Sequence, residues 1–158
     1  MPPLRRRPEV EEDAAFLFAL FRAHQGALLA GLDPAMLDML LRPSFEGQRM
    51  TYRLRYPDAR FEIVEDADGP VGRIVTDRGT EAFTLVDIAL LPERCGRGLG
   101  TRLLAAVMDE ARAVGRPLRL SVTAHNPGAR RLYERLGFVP VGGSELHADL
   151  VWPPPAAS

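Results

Sequence analysis

The stretch Pro92-Glu93-Arg94-Cys95-Gly96-Arg97-Gly98-Leu99-Gly100-Thr101 constrains this chain more than any other. It joins a long apolar run of strand character, Ala82 to Leu91, to Thr101 to Val114, where Leu103, Leu104, Val107, Met108 and Ala111 share one helical stripe. Glycines at positions 96, 98 and 100 let backbone N–H groups come close to a ligand, and the helix beyond offers unpaired donors and a partial positive charge. Such a bend suits an anion, phosphate above all, unless it is only a tight turn between strand and helix. Gly115 and Pro117 end the helix, and Leu118 to Thr123 then alternates apolar and polar, a strand that can lie parallel to its predecessor.

Spacing narrows the anion. The dinucleotide pattern G-x-G-x-x-G puts Thr101 or Leu103 where its last glycine belongs, and a Walker loop needs lysine. All 20 Lys+Arg residues are arginine, which also excludes Schiff-base chemistry. Cys95 is the single cysteine, so neither an internal disulfide nor a multi-cysteine zinc site is expected. His24 and His147 have no ligand spacing, and no metal is expected. A net charge of -1 gives no sign of a nucleic-acid partner. Ala14 to Leu32 holds Arg22, His24 and Gln25, too polar for a membrane span, and the acids after Arg5 to Arg7 argue against a secretory leader. A cytoplasmic protein is expected.

The other elements follow from periodicity. Glu11 to Phe21 reads as a buried helix, and Asp33-Pro34 opens another with Met36, Leu37, Leu40 and Leu41 on one face; Pro43 should break or kink it before a further helical stretch to Arg55. Gln48, Tyr52 and Tyr56 fall at i, i+4 and i+8, a face packed on the sheet or lining a cleft. Phe61 to Val64 and Val71 to Val75 flank Asp68-Gly69-Pro70 as a hairpin. Asn126 and Pro127 open a short helix that Gly137 ends, and Phe138 to Val141 and His147 to Trp152 close the chain as strands. With 158 residues, one domain over residues 1–152 is expected, with 153–158 a disordered proline-rich tail. The class is α/β, an α+β sandwich of helices on a mixed sheet.

The loop resembles the acyl-CoA pyrophosphate loop of the GNAT superfamily of N-acetyltransferases, Gln/Arg-x-x-Gly-x-Gly/Ala, with Cys95 in its first position. Asp87 to Pro92 looks like that family's fourth strand, and Asn126-Pro127-Gly128-Ala129-Arg130-Arg131-Leu132-Tyr133-Glu134-Arg135-Leu136-Gly137-Phe138 matches its Asn-x-x-Ala-x-x-Leu-Tyr-Glu-x-x-Gly-Phe segment. The resemblance covers about residues 84 to 140 and implies a mixed, mostly antiparallel sheet of six to seven strands flanked by about four helices.

It further implies that acetyl-CoA is bound, with no metal, and that its acetyl group passes directly to an amine acceptor. Amides of Arg97, Gly98, Gly100 and Thr101 would hold the pyrophosphate, the main chain of Leu90 and the side chain of Asn126 the pantetheine arm, and Arg130 or Arg131 the 3'-phosphate. Leu91, Cys95, Gly96, Leu99, Ala129 and Tyr133 complete the residues along the donor. Tyr133, at the family's acid position, would protonate the departing thiolate or else pack on the sheet. Cys95 is read as a tolerated replacement, not a nucleophile. Thr84 and Ser121 stand where some members carry a glutamate base, which leaves Asp87, His125 or a water relay. Asp87 lies inside an apolar strand, facing a wet cleft or paired with an arginine. These gaps keep open an acyl-CoA-binding sensor or partner module with little activity. A membrane partner is not expected, and a homodimer is allowed.

Overall fold

The computed structural model describes residues 3–25, 31–96 and 98–153. Its elements are β1 (Arg5–Pro8), α1 (Ala14–Gln25), α2 (Pro34–Arg55), β2 (Arg60–Asp66), β3 (Gly69–Arg78), β4 (Phe83–Leu90), α3 (Leu99–Ala113), β5 (Leu118–Thr123), α4 (Pro127–Arg135), β6 (Val139–Gly143) and β7 (His147–Trp152). The strands form a seven-stranded sheet in the order β1-β2-β3-β4-β5-β7-β6. β4 and β5 are parallel, whereas β1 and β2, β5 and β7, and β6 and β7 pair antiparallel. This is the mixed sheet with helices that the sequence implied. The chain divides into two compact units, Met1–Val75 with Asp87–Arg97, and Thr76–Val86 with Gly98–Ser158.

In the first unit, β1 is an element that periodicity did not reveal. Arg5, Arg6 and Arg7 lie opposite Glu65, Val64 and Ile63, and Arg7 meets Glu65 at 3.2 Å. The helix expected from Glu11 begins as a 3-10 turn at Glu11–Asp13 and continues as α1 to Gln25. Leu17, Phe18, Leu41, Phe45 and Ile63 form the core here, with Phe18 edge-on to Phe45 at 5.3 Å. Of the break or kink expected at Pro43, the break does not occur: α2 is one helix through it. Leu41 and Phe45, on either side of the proline, are 6% and 1% exposed. A proline inside a helix costs about 3 kcal/mol, and burying two such side chains returns roughly 3–6 kcal/mol, so packing holds the helix through.

In the second unit α3 buries Leu99, Leu103, Leu104, Val107, Met108 and Ala111, the stripe read from the sequence with one residue added at its start. β5 alternates as foreseen, with Leu118, Leu120 and Val122 buried and Arg119, Ser121 and Thr123 exposed. Phe83, Leu85 and Leu118 to Leu120 carry the parallel register of β4 and β5. Asn126 caps α4 by accepting from the amide of Ala129 at 3.1 Å. Of the expected tail, residues 154–158 lie outside the described residues.

Candidate functional site

Leu90 ends β4, and its carbonyl accepts a 2.7 Å hydrogen bond from His24 Nε2 in the last turn of α1. The Cys95 thiol approaches the same oxygen at 3.9 Å. Leu91 donates its amide to the carbonyl of Val71 at 2.8 Å. The main chain expected to meet a pantetheine arm is therefore already tied down in the protein. His24, which spacing alone set aside, does the tying, and a contact between residues 66 positions apart leaves no local signal. Arg94, the last residue of the turn Pro92–Arg94, pairs with Asp66 at 2.9 Å.

The backbone then enters the left-handed region at Gly96 (φ 79°) and at Gly98 (φ 75°), the N-cap of α3. Arg97 lies outside the described residues. Among the described residues no side chain caps α3, and the first helical bond runs from Arg102 to the Gly98 carbonyl at 3.0 Å, so the amides of Leu99, Gly100 and Thr101 precede it. A Cβ at Gly96 or Gly98 would meet nothing within 4 Å, so these glycines are required by conformation and the space beside them is open. A helix start with free amides such as this one suits an anion.

On α4, Asn126 already uses its side-chain oxygen on Ala129, and its two remaining N–H donors are the part of that amide suited to an arm. Tyr133 is 7% exposed, its ring 5.8 Å from that of Phe138. Arg130 pairs with Glu134 at 2.8 Å on an exposed helix face. Ser121, standing where a glutamate was looked for, donates to Asp149 at 2.5 Å, and His147 Nε2 lies 3.5 Å from that carboxylate. The register Ser121↔Asp149 supplies this acid from β7, where reading along β5 could not find it. His125 is exposed.

Asp87 takes the paired alternative. Arg73 donates to it at 2.5 Å and to Gln48 Oε1 at 3.2 Å, with the Arg73 side chain 7% and that of Asp87 22% exposed. The Tyr52 ring lies 5.9 Å from the guanidinium. Burial, reinforced by the charge of Asp87 and opposed by Arg73, pushes the Tyr52 phenol up to about 12. Gln48 and Tyr52, two members of the i, i+4, i+8 face, thus belong to the Arg73–Asp87 group.

The glycine bend thus leads from β4 into a helix whose first amides lie ahead of any helical hydrogen bond, the anion-holding strand-turn-helix that the sequence pointed to. Residues 32–138 match the acetyltransferase (GNAT) family, and the chain belongs to it. The PaiA N-acetyltransferase of Thermoplasma acidophilum, crystallised with coenzyme A, superposes with a TM-score of 0.71 at 16% identity, covering 94% of this chain and 98% of that one. An acetyltransferase of Thermus thermophilus gives 0.70 at 25% identity over 96% and 98%. The uncharacterized N-acetyltransferase YycN of Bacillus subtilis (strain 168) is 46% identical over 59 residues, and that similarity spans 37% of each chain. Among the described residues no helix is long and apolar enough to cross a membrane.

Proposed function

We propose that the chain is a cytoplasmic N-acetyltransferase, one domain over residues 1–152, that moves the acetyl group of acetyl-CoA directly to an amine. The uncapped start of α3 behind left-handed Gly98 carries this reading. Amides of Gly98, Gly100 and Thr101, together with Arg97, hold the diphosphate; Asn126 and the main chain of Leu90 hold the arm, and Arg130 or Arg131 the 3'-phosphate. As the C–N bond forms and the C–S bond breaks, Tyr133 gives its phenolic proton to the thiolate, and Asp87, oriented by Arg73, accepts the proton of the amine. Titration calorimetry with CoA and acetyl-CoA tests the reading: saturable binding is expected, and none at millimolar ligand rejects it.

One observation favours a second reading. The Arg73–Asp87 pair commits the candidate base to an ion pair, as suits an acyl-CoA-binding module with little turnover. Thiol release over a panel of amines separates the two, since tight binding without product for any amine supports the module. Self-association as a homodimer is part of either reading.

A further inference from the structure

α2 buries one face and leaves the opposite face apolar. Met36, Met39, Leu40, Met50 and Leu54 are 53%, 77%, 54%, 65% and 76% exposed. They are five of the ten large hydrophobic residues that stand exposed among the described residues, so the exposure is concentrated on one helix and not scattered. Positions 36, 40, 43, 47, 50 and 54 follow the alternating three- and four-residue steps of a coiled-coil seam, with Pro43 and Gly47 at its middle.

We propose that this seam is a homodimer interface, in which α2 of two copies packs antiparallel about a two-fold axis near residue 45. Three observations favour a second copy over a different protein. The seam is its own complement in that register: Met36 meets Leu54, Leu40 meets Met50 and Pro43 meets Gly47, and each contact occurs twice, as an isologous interface requires. The small central residues let the two backbones approach. Arg42 and Glu46, which flank the middle on the same side, come beside Glu46 and Arg42 of the other copy. At roughly 200 Å² for a fully exposed Met or Leu, the five residues present about 600 Å² per chain, and two chains reach about 1,200 Å², where stable interfaces begin.

Sedimentation velocity on the full chain in reductant, from about 1 to 100 µM, measures the association. A dimer is expected. Met50→Glu with Leu54→Glu should raise its Kd about a hundredfold, and circular dichroism should stay unchanged because both sites are exposed and glutamate is a good helix former. Arg42→Glu should weaken the dimer about tenfold by placing like charges together, and adding Glu46→Arg should restore it. A chain that stays monomeric at the highest concentration, as it would if another protein covered this face, overturns the proposal. So does a dimer that M50E with L54E leaves intact, and a double charge swap no tighter than the single one overturns the antiparallel register.

Discussion

Tyr133 and Asp87 carry opposite halves of the proposed proton balance, and removing either isolates its half. Tyr133→Phe keeps the ring against Phe138 and should lower kcat about 10²-fold with the KM for acetyl-CoA nearly unchanged; equal turnover would remove the acid role. Cys95 is exposed and bound only weakly to Leu90, so Cys95→Ser should leave turnover within about twofold, as direct transfer without an acyl-enzyme requires. Tyr52 provides a pH signature. Because its folded phenol is raised to about 12, the unfolded chain releases that proton first as pH climbs past about 10. Its contribution is complete below about pH 10 and is lost toward 12, so Tyr52→Phe should flatten the alkaline fall of the urea midpoint. The candidate acid was legible because α4 carries its motif in unbroken sequence. The partners of Asp87 were not, since Arg73 and Gln48 come from β3 and α2 and only folding assembles them.

At the level of the elements, β3 and β4 approach closely at Gly72, where a Cβ would run into the carbonyl of Ala89 and the Leu90 side chain. Gly72→Ala should cost about 3 kcal/mol and lower the thermal midpoint accordingly. Asn126→Ala removes the cap of α4, at about 1 kcal/mol or roughly 2–4 °C of Tm, and should weaken acetyl-CoA binding as well if the same amide serves the arm. The boundaries of α3, β5 and α4 were readable because punctuation sits in the sequence itself: Gly115 and Pro117 stop one helix, and Asn126-Pro127 starts the next. α2 misled because a proline rule weighs local cost alone. Whether Leu41 and Phe45 find a core to share is decided by α1 and β2, which no window around Pro43 contains.

For the molecule as a whole, acid should be the more revealing direction of titration. The Arg7 guanidinium, bonded to both carboxylate oxygens at 2.9 and 2.8 Å, holds Asp13 below the usual carboxylate range, and the Val10 amide assists. The unfolded chain therefore takes up this proton first as pH falls below about 4, so the stability Asp13 confers is full above that pH and lost beneath it. Asp13→Asn should be less stable at neutral pH with a flatter acid limb in urea unfolding. The sheet's second half was foreseen strand by strand, while β1 escaped because three arginines and a proline look nothing like a strand until Glu62 and Glu65 lie opposite them. That same strand sets a limit on assembly. Both outermost strands, β1 and β6, contain a proline, at 8 and 140, and the first is lined with guanidinium groups. Neither rim offers an unbroken ladder for another chain to extend, so concentrated solutions should stay clear, with no fibrils growing from the margins of the sheet.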